Sequence, residues 1–241
     1  MKHDGEIIHS ARDEFGLLQV VDNRVTRKLY FDSPIEQSCL FINAPMTLNF
    51  EYQEIMIELL INAANQPKSN KPKLNSDFRM LMLGMGGGTM AHHLYHALPN
   101  LQMTVVELRQ IVINAAYDYF QLPDEPEIDV IQEDALTFVA ENPHQYDVVM
   151  VDIFDANGLP SDLSNADFQQ NLWNNLNSTG LLIFNLWNEE SPTGDGKPTA
   201  ETAKVLKYWQ QLASHSQAHT KLKLNQYNVR TSSNLILTVQ R

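Results

Sequence analysis

A doubly wound α/β sheet preceded by a small amino-terminal β region is the fold class this sequence predicts, and three observations predict it. Short apolar runs alternate with helical periodicity from residue 79 onward. A glycine-rich turn, "LGMGGGT", follows the first of those runs. Acidic residues (Glu107, Asp134, and Asp152 with Asp155) stand at the carboxyl ends of later runs, where open α/β sheets bind ligands.

Taken in order, residues 6–42 read as short strands, GLLQVVDN, TRKLYFD and IEQSCLFIN, with Asp-Ser-Pro at 32–34 as a hairpin connection. Over 50–64, Ile55, Met56, Leu59, Leu60 and Ala63 recur at helical spacing and predict a helix. "NQPKSNKPKLNSD", 65–77, is polar, aperiodic and carries two prolines, so it is a linker. The chain therefore divides into a β region at 1–49, a helix and linker at 50–77, and a nucleoside-binding domain at 78–241. Within the last, strands are expected at 79–84, 102–108, 128–132, 146–153, 180–187, 222–228 and 234–240. Helices are expected at 87–98, 109–120, 135–141, 164–177 and 198–214. Such alternation implies right-handed crossovers and a mostly parallel sheet. The last two strands lack an intervening helix and are expected to pair antiparallel at an edge.

The 241 residues are 43% apolar, enough for a continuous core. With 29 acidic against 17 basic residues the formal net charge is −12. That balance disfavours nucleic acid and anionic membrane as partners, since both select clustered Lys and Arg. It suits a cationic substrate, or nothing more than solubility. A single cysteine, Cys39, leaves no disulfide and no Cys-based zinc site within the chain, and it reads as a buried small residue. The first residues lack a signal-peptide core, and no run approaches the roughly 18 apolar residues of a membrane helix. A cytoplasmic protein is expected. His92 and His96 lie one helical turn apart, but without supporting ligands they read, with His93, as surface residues, and no metal is expected.

Gly84, Gly86 and Gly88 form G-x-G-x-G, with Gly87 between the last two. The dinucleotide fingerprint needs glycine where Thr89 stands, so a Rossmann-like sheet of the S-adenosylmethionine-dependent methyltransferase type fits better. Glu107 follows Gly84 by 23 positions, where an acid accepts ribose hydroxyl protons. Asp134, one strand on, is placed to accept from an adenine amino group. These positions together point to an adenosine ligand.

With these pieces in order, the chain resembles the spermidine/spermine synthase family, the polyamine aminopropyltransferases, from about residue 27 to the end. "RKLYFDSPIEQS" is similar to the family's hairpin and gives Gln37; "EYQEIM" gives Tyr52 and Gln53. "LGMGGGT", "VVEL" and "EDALTF" match its glycine loop, ribose acid and adenine-binding pair Asp134 and Ala135. "YDVVMVDIFDANGLP" matches its acidic signature, which implies Asp152 as catalytic base and Asp155 as the amine-holding acid. Trp187 is expected to floor the acceptor pocket. The resemblance implies decarboxylated S-adenosylmethionine as co-substrate, a small amine as acceptor, and a homodimer. In the family an Asp faces the donor's ammonium at the position of Gly87. Glycine there suits intact S-adenosylmethionine, which leaves a methyltransferase of unknown acceptor as one alternative and a non-catalytic nucleoside-binding paralogue as another. Leu48 and Asn49 replace an expected acidic pair, and Arg230 falls near an expected amine-contacting tyrosine, with Tyr227 close by.

Overall fold

The computed structural model describes residues 4–65, 78–155, 158–190, 196–215 and 222–241. The proposed linker, from residue 66 onward, lies outside them. Four antiparallel strands, β1 (Glu6–Asp13), β2 (Gly16–Asp22), β3 (Thr26–Phe31) and β4 (Glu36–Phe41), form a meander in sequence order. Sequence patterning names the last three; β1 is an additional strand. Its EIIHSARD is mostly exposed and edge-placed, so burial imposes no clean alternation on it.

Helix α1 (Glu51–Asn65) leads to the larger sheet. There, β5 (Arg79–Leu83), α2 (Thr89–Ala97), β6 (Gln102–Glu107), α3 (Gln110–Tyr119), β7 (Ile128–Gln132), α4 (Ala135–Glu141), β8 (Tyr146–Val151), α5 (Ala166–Asn174), β9 (Leu176–Trp187) and α6 (Ala200–His215) alternate as expected. The antiparallel pair β10 (Lys223–Asn228) and β11 (Asn234–Gln240) ends the chain. Strand order is β10-β11-β9-β8-β5-β6-β7, with β5 to β9 parallel and β10 at the edge.

Residue alternation in the strands divides the core. Met80 and Met82 face a layer containing α1, α2 and α3, while Leu81 and Leu83 face α4, α5 and α6. A sheet covered on both faces needs continuous apolar strands, and RMLML and YDVVMV supply them. Leu18, Val20 and Leu29 of the small sheet join the first layer's core, so the meander is packed onto that helical face of the larger sheet. The order reverses between β5 and β8, whose following loops diverge and open a crevice. Gly84 and Asp152 begin those two loops.

Candidate active site

The crevice is built by close contact of its two loops. Gly84 has φ 85°, and a Cβ there would stand 2.2 Å from the carbonyl oxygen of Asp152. Only glycine lets the glycine loop rest on the end of β8 this closely. The Asp152 backbone N–H donates to Leu83 O at 2.9 Å, extending the β5–β8 ladder one residue into the site.

A cavity of about 400 Å³ opens here, and it gathers most of the expected nucleoside residues: Gln37, Gly84, Gly86, Glu107, Asp134 and Ala135 line it. Gly87 and Gly88 are set back from its wall. A Cβ on Gly87 would meet the Phe120 ring and Ser38 Cβ at 2.9 Å. The residue at 87 thus faces packed protein, and glycine here carries no information about the donor's carboxylate. The Gly87 N–H instead donates to Ser38 Oγ at 2.7 Å, tying the loop to β4.

Glu107 ends β6 and is buried, accepting from the backbone N–H groups of Met85 (3.2 Å) and Arg109 (3.0 Å). Burial pushes its carboxyl up, against the pull of those donors. Asp134 is the N-cap of α4: Oδ1 accepts from Thr137 N at 3.0 Å. It therefore does structural work with one oxygen while its residue faces the cavity.

Asp152 stands on the cavity floor. Its Oδ1 accepts from Asn185 Nδ2 at 2.7 Å, and the Tyr52 hydroxyl also hydrogen-bonds its carboxylate. Burial pushes the Asp152 carboxyl up to about 6, with Asn185 and Tyr52 pulling it back. The same burial, together with the Asp152 charge, holds the Tyr52 phenol well above its usual range. Gln53 is buried beside them. Its Nε2 donates to Thr89 Oγ1 at 3.3 Å, and its Oε1 has no hydrogen-bond partner among the described residues.

A second cavity, about 590 Å³, adjoins the first through a wall shared by Gln37, Tyr52, Phe154 and Asp155. Trp187 lines it, edge-on to Phe154 with ring centroids 6.1 Å apart. Its acidic groups are Asp155, Glu36, Glu51 and Glu190. Lys28 Nζ is 2.5 Å from Glu36, and Arg230 Nε is 2.9 Å from Glu51. Tyr227 lies on exposed β10 and lines neither cavity.

Sequence reasoning missed several participants. Phe15, Phe31 and Asp32 of the small sheet line the first cavity, brought there by tertiary packing that no local pattern encodes. Asn185 was discoverable, because a lone polar residue interrupts the apolar run GLLIFNLW near its carboxyl end. One expectation needs correction: His92 is buried at 4% exposure, on the face of α2 it shares with Thr89, and burial pushes its imidazole down towards the neutral form. His96 is exposed as expected. Among the described residues no group of three or more His, Cys, Asp or Glu is placed to hold a metal, and no helix is long and apolar enough to cross a membrane.

The spermine/spermidine synthase domain model matches residues 50–222. The polyamine aminopropyltransferase of Neisseria meningitidis (serogroup A, strain Z2491) is 26% identical over 187 residues, 77% of this chain and 67% of that one. Among solved structures, a probable spermidine synthase from Corynebacterium glutamicum superposes with TM-score 0.73 at 19% identity, covering 98% of this chain and 80% of its own. A spermidine synthase in complex with the transition-state analogue AdoDATO superposes with TM-score 0.68 at 16% identity, covering 97% and 73%. At those identities the structures speak for the methyltransferase-type fold. The domain match spans more than half the chain, and on it this transferase belongs to the spermine/spermidine synthase domain family.

Proposed function

We propose that the protein moves an aminopropyl group from decarboxylated S-adenosylmethionine to a small amine, with Asp152 as the base. The observation that carries this reading is the Asp152 carboxylate inside an adenosine-sized cavity, hydrogen-bonded to Tyr52 and Asn185, which both line the adjoining acidic cavity. The sulfonium of such a donor is already a good leaving group, so what the chain must supply is a deprotonated, aligned amine. Alkyl ammonium groups are protonated at neutral pH, with pKa about 10. Asp152, pushed up to about 6 by burial, is still ionised there and accepts that proton better than an ordinary carboxylate would. Asp155, on the shared wall, holds the cationic acceptor in line with the reacting carbon. The amine nitrogen forms a bond to the aminopropyl carbon, the carbon–sulfur bond breaks, and neutral methylthioadenosine departs. The proton passes to Asp152 and on to solvent.

Gln53 supports the decarboxylated donor over intact S-adenosylmethionine. Its buried, unpaired Oε1 is an acceptor in want of an N–H and would be set against a carboxylate. Glu107 with Gln37, and Asp134 with Ala135, are the residues proposed to hold the ribose and the adenine. A cytoplasmic setting and a homodimer, the latter implied by the family resemblance, belong to the same reading. Calorimetric titration with decarboxylated S-adenosylmethionine, S-adenosylmethionine and methylthioadenosine tests it. The decarboxylated form should bind at least tenfold tighter than the carboxylated one, and the reverse order would sink the aminopropyl assignment in favour of methyl transfer.

A further inference from the structure

Asp152 is the end of a buried hydrogen-bond chain that runs across two strands. Asn185 Nδ2 donates to Asp152 Oδ1 at 2.7 Å, Asn234 Nδ2 donates to Asn185 Oδ1 at 2.8 Å, and Ser232 Oγ donates to Asn234 Oδ1 at 2.5 Å. Asn185 lies on β9 and is 1% exposed; Asn234 begins the antiparallel neighbour β11 and is 7% exposed. The direction of every link is fixed by chemistry. An ionised carboxylate only accepts, so Asn185 must present its NH₂ to Asp152 and its carbonyl oxygen to Asn234. Asn234 must then present its own NH₂, which leaves its oxygen for the Ser232 hydroxyl. The Asn234 N–H returns to Ser232 Oγ at 3.4 Å and closes the end of the chain.

We propose that Asn185 and Asn234 form a one-way relay that fixes the Asp152 carboxylate for the incoming amine, with Asn234 as a positioning residue acting through Asn185. This rests on the reading of Asp152 as the base. Without the side-chain N–H of Asn234, the Asn185 carbonyl oxygen is left buried and unpaired, and only the Asp152 carboxylate still holds that amide in its present sense. Turned over, that amide would aim an oxygen at the carboxylate, removing a donor and adding a repulsion, and Asp152 would bind its proton more tightly. The relay also joins the base to the acceptor cavity, whose wall includes Asn185, Ser232 and Asn234. Other ionisable groups surround Asp152. Tyr52 touches it from α1, Asp155 follows in the same loop, and Glu107 at the end of β6 lines the same cavity. Glu36, Glu51 and Glu190 lie across the acceptor cavity. Asn234→Leu changes none of these charges, so a change in the pH response of that variant reports the relay.

The test is the pH profile of kcat/KM for decarboxylated S-adenosylmethionine and an amine acceptor, for the parent, Asn234→Leu and Asn234→Asp. In Asn234→Leu the acid limb should move up by about 0.5–1 pH unit. Turnover should recover at high pH, and methylthioadenosine affinity should stay within about twofold of the parent's. Asn234→Asp, close in shape but unable to donate to Asn185, should shift the limb at least as far. A limb unmoved in Asn234→Leu, with activity lowered equally at every pH or not at all, overturns the relay and makes the amides packing only. A shift in Asn234→Asp alone is a charge effect and overturns it equally. If Asn234→Leu does not fold, titration of the Asp152 carboxyl by NMR in Asn234→Ala replaces it, and an unshifted Asp152 in Asn234→Ala is the overturning result. Asp152→Asn in the same assay separates the two claims. Retained turnover there removes the base itself, whereas lost turnover with an unmoved Asn234→Leu limb removes only the relay.

Discussion

The Ser38 hydroxyl on β4 accepts the Gly87 N–H at 2.7 Å and donates to the Gln37 carbonyl, also at 2.7 Å. One side chain therefore clamps the small sheet to the glycine loop, and both flanking segments line the cavity that holds Asp152. Ser38→Ala strands a buried N–H, a loss of about 1–3 kcal/mol. Because the loop's shape depends on that bond, the cost falls on binding as well as folding. Denaturant unfolding should show the loss in stability, and methylthioadenosine should bind several-fold more weakly. Lowered stability with an unchanged Kd would mean that the loop keeps its shape without the clamp.

Asp152 should make stability and activity respond oppositely to pH. Its carboxyl is raised from 3.8 to about 6, so between those values the folded chain holds a proton that the unfolded chain has released. Stability from this group consequently falls as pH rises through that window, and the full penalty applies above 6. Asp152→Asn removes the buried charge. It should be more stable than the parent at pH 8, by about 1–3 kcal/mol, with the gain vanishing near pH 4. Turnover should behave in the opposite sense, rising in the parent as pH climbs through 6 and being absent in the variant. Thermal unfolding at pH 4, 6 and 8 checks the first claim. An equal change in Tm at all three would exclude a titrating Asp152.

Much of this site was legible because its logic is local. A strand, a glycine turn and a helix leave a signature within about 20 residues, and an acid at the end of the next strand sits at a fixed interval. Glu107, Asp134 and Asp152 were found that way, and all line the same cavity. What stayed hidden depends on contacts between distant segments. Phe15 sits in the β1–β2 turn and reaches the cavity only because the meander docks on the helical layer. Asn234 matters because its strand pairs with β9, which places it beside Asn185, 49 residues earlier. The direction Gly87 faces was equally unreadable, since Phe120 and Ser38 fill that space from different elements.

Asp13 and Arg109 couple the small sheet to the carboxyl end of β6. Arg109 reaches Asp13 through Nε (3.0 Å) and Nη2 (2.8 Å), donates to Gly16 O at 3.0 Å, and lies 4.7 Å above the Phe31 ring. Burial acts to raise the Asp13 carboxyl, but the Arg109 guanidinium outweighs it and holds the group below its usual range. Both side chains are largely covered, so Asp13→Ala leaves a nearly buried cation unpaired, a loss of about 3–5 kcal/mol. Arg109→Met keeps volume without a charge and should cost less than Asp13→Ala. Unfolding of the two variants and the double variant measures this. The double should lie closer to Arg109→Met, and simple additivity would show that the two side chains do not act as a pair.

Arg230 was the residue least compatible with a cationic acceptor, and its pairing changes what it is expected to do. Its side chain is 88% exposed and hydrogen-bonds Glu51, whose other oxygen accepts the Thr231 N–H at 3.0 Å. Arg230 thus offsets one carboxylate on the wall of the second cavity, the proposed acceptor site. Removing it uncovers that charge while the Thr231 N–H still holds Glu51 in place. Arg230→Ala should lower the KM for a polycationic acceptor by about two- to fivefold, and Glu51→Gln should raise it by a similar factor. Both effects should shrink as salt is raised from about 0.05 to about 0.5 M, which shortens the Debye length from roughly 14 Å to roughly 4 Å. The KM for decarboxylated S-adenosylmethionine, whose proposed cavity Glu51 does not line, should stay within error in both variants. A higher acceptor KM in Arg230→Ala would mean that the guanidinium holds the rim in shape, and that its charge is not what governs entry.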